Sequence, residues 1–159
     1  MDDYLPFSTL PEPPAYHDGA GVLARLIESI GFRLQWATEG LEPEDLTYQP
    51  TDESMSINDL MRHIYKLIVM SASDLGAPTA EMTICDDHHS IRHAVLQQLS
   101  MMREALLTEG LPETVGEEFW LDINGPLSDV LTHIGQINTW RRFAGNPPRS
   151  VNYLLGTVD

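Results

Sequence analysis

Residues 56–76, SINDLMRHIYKLIVMSASDLG, decide how this chain is read. Ser56 is a good helix N-cap, Asp59 stands in the first turn, and Gly76 with Pro78 ends the segment. Between them Ile57, Leu60, Ile64, Leu67, Ile68 and Ser71 recur at three- and four-residue spacing, the buried stripe of an amphipathic helix. His63 lies three residues after Leu60 and four before Leu67, so an imidazole shares the edge of that stripe.

The same pattern occurs three more times. A first helix runs from Val22, with Leu23, Leu26, Ile27, Ile30, Leu34 and Ala37 inward, and stops at Gly40 with Pro43 just beyond. Ser90 caps a third helix whose buried stripe is Ile91, Val95, Leu96, Leu99, Met102 and Leu106, closed by Gly110 and Pro112. Gly125-Pro126 starts a fourth, with Leu127, Val130, Ile134 and Ile137 inward, Arg141-Arg142 in the last turn against its negative dipole end, and Gly145 as its stop. No strand-like alternation persists and no repeat is found, so elimination leaves an all-α, four-helix bundle. The expected organisation is one domain over 1–159. Residues 1–18 form an extended arm marked by Pro6, Pro11, Pro13 and Pro14; 41–55 form a loop with a short turn; 146–159 form a tail. Trp36, Tyr65, Trp120 and Trp140 are assigned to the core, with Trp140 also placed to line a pocket.

The chain has 159 residues and a formal charge of −15, with nine basic residues among 24 acidic ones. That balance argues against nucleic acid and against anionic membranes. No apolar stretch approaches the ~18 residues that span a bilayer. The Met1-Asp2-Asp3 start lacks the basic and apolar regions of a secretory signal. A single cysteine, Cys85, excludes an internal disulfide. These features suit a cytoplasmic protein with a small-molecule substrate or a protein partner.

Asp129 and His133 stand one turn apart on the fourth helix and project side by side, with Gln136 three residues further for an outer hydrogen bond. With His63 they make a His/Asp/His set able to hold a divalent ion and leave positions open for water or substrate. Spacing alone equally allows a hydrogen-bonded core histidine and a local Asp/His ion pair, because it does not show that the two helices face each other. A rival run, Cys85-Asp86-Asp87-His88-His89 with His93, holds metal-competent donors but lacks the paired spacing of a structural zinc motif. It reads as a solvated helix start. Cys85 has no basic neighbour in sequence to activate it. There is no phosphate loop, GxSxG elbow or CxxC pair.

Two blocks carry a resemblance. TEGLEPEDLTYQPTDESMSINDLMRHI (residues 38–64) and SDVLTHIGQINTWRRFAGNPP (residues 128–148) resemble the DinB/YfiT-like family, in order and separation, within a match over about residues 20–150. The resemblance implies a four-helix bundle with a long crossover in up-down-down-up order, often a homodimer. It also implies a metal held by His63, His133 and the position of Asp129, where the family usually has histidine. The carboxylate moves preference from zinc or nickel toward iron or manganese. The activities implied are metal-dependent hydrolysis, thiol transfer to electrophiles and a thiol-dependent isomerisation. Hydrolysis is favoured here, because a carboxylate-bearing thiol would want basic residues at the pocket mouth and the chain has few. A non-catalytic binding or stress-response bundle is the further alternative, since no Glu or Lys lies on the Asp129–Trp140 edge.

Overall fold

A computed structural model describes residues 5–79, 87–113 and 116–158. Its helices are α1 (Gly19–Thr38), α2 (Pro43–Leu46), α3 (Ile57–Asp74), α4 (His88–Thr108), α5 (Glu117–Asp122) and α6 (Ser128–Ala144). The fold is all-α apart from one short hairpin, and no described helix is long and apolar enough to cross a membrane. Helix α1 packs on α4 and α6, and α3 packs on the same two, so the four long helices enclose one contiguous apolar core.

Every stripe residue expected in α4 and α6 is buried, as are those of α1 and α3 except the half-buried Leu26 and Leu67. Helix α1 goes further. Glu28, Gly31, Phe32, Gln35 and Thr38 are buried as well: α4 reaches Glu28 through Arg103 and Gln35 and Thr38 through Arg92, Tyr153 of the tail packs on Phe32, and the N-terminal arm covers Gly31. Phe7 lies against Gly31 so closely that a Cβ there would collide with its ring. Trp36 donates to Ser8 O at 3.1 Å and Arg25 to Pro11 O at 3.0 Å, tying the arm down. Glu28 is buried between Arg25 at 2.7 Å and Arg103 at 2.6 Å.

Three expectations need correction. Asp87, not Ser90, caps α4: its Oδ1 accepts the Ser90 N–H at 3.0 Å, so Ser90 is the third helical residue. Gly125-Pro126 does not start a helix. The backbone is already helical from Glu117 and passes through a π-helical turn, Ile123–Leu127, into α6. Proline has no N–H to donate, and the wider turn absorbs that loss within a continuous helical path. Trp120 is 61 % exposed, not core. It stacks edge-to-face on Phe119 and lines an open apolar depression of about 520 Å³ with Val22 and Leu111. The tail forms an antiparallel hairpin, β1 (Val151–Asn152) with β2 (Thr157–Val158), whose Gly156 carbonyl accepts from Leu10 of the arm.

Arg141 also works differently from the expectation. Arg142 returns to its own helix at Asn138 O, but Arg141 is buried and serves the end of α1. Its guanidinium donates to Ala37 O at 2.9 Å, Glu39 O at 2.7 Å and Gly40 O at 3.3 Å. Those carbonyls have no helical partner, and a buried cation satisfies them.

Candidate metal centre

Helix α3 presents His63 from the middle of its span, and α6 presents Asp129 and His133 from its first two turns. Because α3 and α6 pack on each other, the three side chains meet. Each offers one donor atom, and these atoms all lie within 4.8 Å of one another. Among the described residues this is the one such group of three or more His, Cys, Asp or Glu.

Asp129 Oδ2 is the hub, 3.1 Å from His133 Nε2 and 3.6 Å from His63 Nε2. The two rings stand edge to face, with centroids 4.9 Å apart. Two ligands at about 2.1 Å in a tetrahedral shell are separated by about 3.4 Å, and the two observed separations fall either side of that. The three donor atoms together could hold a metal ion.

Gln136 settles which nitrogen is offered. Its Oε1 lies 2.7 Å from His133 Nδ1, and an amide oxygen only accepts, so Nδ1 carries a proton. His133 Nε2 then faces the Asp129 carboxylate at 3.1 Å. A neutral ring would set a lone pair against an anion. The two atoms thus form a donor pair that a cation could join.

The site is open. His63 and Asp129 are 37 % and 46 % exposed at their side chains, against 13 % for His133, so the carboxylate reaches solvent while the anchoring ring does not. Depressions lie on both sides: one of about 380 Å³ beside His63, and one of about 370 Å³ beside Asp129 under Met70 and Asn124. Trp140 lines neither and is buried in the core.

Among the described residues the rival run supplies no second such group. Cys85 and Asp86 lie outside the described residues. Asp87 is committed to the α4 cap, His93 is exposed, and His88 is buried rather than solvated, stacked on His89 at 3.9 Å. Burial, with the neighbouring His89, pulls the His88 imidazole below its ordinary value and favours the neutral ring.

A buried acid went unread in the sequence. Asp122 accepts a hydrogen bond from Ser71 at 3.1 Å, while its other oxygen is buried without a hydrogen bond. Burial raises its carboxyl above the usual range, against the Ser71 bond and with a smaller contribution from Asp74. The only available signal was that Ser71 lies on a buried stripe and needs a partner.

Comparison with protein-family models, with curated proteins and with solved structures finds no match for this chain.

Proposed function

We propose that the chain is a DinB/YfiT-like four-helix bundle, with a long crossover in up-down-down-up order, acting as a metal-dependent hydrolase on His63, Asp129 and His133. The observation that carries this reading is the His133–Asp129 pair, in which Gln136 holds the ring so that its lone-pair nitrogen meets the carboxylate. The pairing of α1 and α3 with both α4 and α6 supports the bundle. A divalent ion bound there, from among zinc, nickel, iron and manganese, would lower the pKa of a water or thiol and supply a nucleophile at neutral pH. The protein's own part is to fix His133 through Gln136, to provide one anionic donor in Asp129, and to seat substrate in the flanking depressions.

Thiol transfer is the second reading, and one observation favours it. Arg62 and Lys66 line the depression beside His63, so the site mouth has the cations that the low basic count had argued against. A homodimer and a cytoplasmic setting belong to the same proposal, resting on the family resemblance and the composition.

The test is elemental analysis of protein purified without a chelating tag, repeated for His133→Ala, with turnover of esters, thioesters, amides and thiol acceptors measured alongside. Stoichiometric metal in the native chain, lost in the variant together with hydrolysis, is the expected result. Full metal with no turnover of any class would favour the non-catalytic module. No uptake of zinc, nickel, iron or manganese would end the reading.

A further inference from the structure

Two apolar features of the surface lie at opposite ends of one face of α1. The first is a knob. Leu154 and Leu155, 87 % and 66 % exposed, form the turn of the tail hairpin. Asn152 Oδ1 holds that turn by accepting from the Leu154 and Leu155 N–H groups at 3.1 and 3.0 Å. The hairpin stands beside the second half of α1, where Tyr153 packs edge-on to Phe32 and lies 4.9 Å beneath the Arg33 guanidinium. The second feature is a hole, the depression of about 520 Å³ lined by Val22, Leu26, Leu111, Phe119, Trp120 and Ile123.

Helix α1 sets the two in register. Val22, Leu26, Ser29 and Arg33 recur at four, three and four residues, so they form one stripe along the helix. Its ends are three turns apart, about 16 Å. Leu26 and the small Ser29 stand at its middle, both half-buried. A two-fold axis crossing the stripe between them would set α1 antiparallel to a second α1 and exchange its ends. The knob of each copy then meets the hole of the other.

Charge favours the same face. Two copies carrying −15 each repel, and they approach best where carboxylates are fewest. Helix α1 exposes none, because its one acid, Glu28, is buried between Arg25 and Arg103. Arg33 bonds to Ser29 rather than to a carboxylate, so its charge stands uncancelled beside the knob. The hole has no lysine or arginine in its lining and has Asp18 there, with Glu117 and Glu118 exposed in the first turn of the helix that carries Trp120. The exchange therefore turns the cation of one copy toward the acids of the other.

We propose that the chain forms a two-fold dimer across the Val22–Arg33 stripe of α1, with the hairpin tip of each copy seated in the depression of its partner. The inference rests on the homodimer reading, to which it gives an interface, and draws nothing from the metal centre. Two-fold symmetry makes each contact twice, so one short stripe serves both copies.

Sedimentation equilibrium of the full chain should give a dimer. Val22→Glu and Leu154→Glu, both at exposed positions, should keep the native circular dichroism. Each should raise the dimer dissociation constant about a hundredfold, since symmetry places the new charge in an apolar contact twice. Of the three tryptophans only Trp120 is exposed, so acrylamide quenching reports the hole. Leu154→Glu should increase that quenching from the far end of the stripe. In Cys85→Ser/Ser29→Cys a short bismaleimide should link two copies, and adding Leu154→Glu should prevent it. A native chain still monomeric at about 100 μM would overturn the interface and the homodimer reading together. A dimer of native affinity in both glutamate variants would overturn this interface and leave a homodimer joined elsewhere.

Discussion

Asp129 is the donor nearest both imidazoles and the only anionic member of the set. Asp129→Ala should therefore weaken metal binding about tenfold or more, since two neutral rings remain to hold a divalent ion. Asp129→His should preserve binding and shift selectivity toward softer, nitrogen-preferring ions. Competitive titration with zinc, nickel and manganese reads both effects, and unchanged affinity in the alanine variant would reduce Asp129 to a surface carboxylate. Asp122 gives a different prediction from a buried charge. Its folded value is raised above the ordinary 3.8, chiefly by burial, so the carboxyl stabilises the fold when protonated. That contribution is complete below the ordinary value and is lost as pH rises through the folded one. At neutral pH the group is a cost. Asp122→Asn keeps the acceptor for Ser71 and should stabilise the protein by about 1 kcal/mol at pH 7, the gain fading in acid. Denaturant unfolding at pH 7 and pH 4 checks this, and a gain independent of pH would mean that charge is not its origin.

At the scale of elements, Arg141 joins the last turns of α1 and α6 through three carbonyls that no helix satisfies. Arg141→Met should cost about 3 kcal/mol, because it leaves the buried Ala37 carbonyl without its donor and removes the bonds to Glu39 O and Gly40 O. The melting temperature should then drop by roughly 6–12 °C, while zinc affinity of the folded protein holds. Loss of metal without loss of stability would contradict a purely architectural role. The same element shows how far the sequence could be read. Ser56 and Gly145 were legible because a cap and a left-handed stop (φ 91 at Gly145) are local chemistry. Ser90 was misread because Asp87 offers the same chemistry three residues earlier, and the helix takes the longer register. The passage from α5 into α6 was illegible for another reason: Gly-Pro signals a break, and the continuous packing of this segment on α3 overrides it through a π turn. Trp120 failed in the opposite direction, since its size suggests a core residue while its helix turns it outward. The donor set needed one fact that spacing lacks, that α3 and α6 are neighbours.

For the whole molecule, a metal between α3 and α6 would act as a cross-brace, and stability reports it without any substrate. A ligand that binds only the folded chain at a hundred times its Kd adds about 2.7 kcal/mol. For a protein of this size that raises the melting temperature by roughly 5–10 °C. The gain should be strongest above neutrality and fall in acid. Each imidazole must be neutral to donate, so two protons oppose one metal and the decline should be steeper than for a single histidine. A net charge of −15 could also gather cations non-specifically, which makes the residue controls decisive. His63→Ala and His133→Ala should each abolish the zinc-induced shift, because each removes one side of the brace. Replacing His88, His89 and His93 together by Gln should leave it intact, since that run contributes no donor to the centre. A shift that persisted in His133→Ala and disappeared in the triple variant would move the metal to the start of α4. Measured by scanning calorimetry with and without zinc at several pH values, the same series also separates a specific site from diffuse attraction. Added salt should screen diffuse attraction, and a chelated ion should keep its shift.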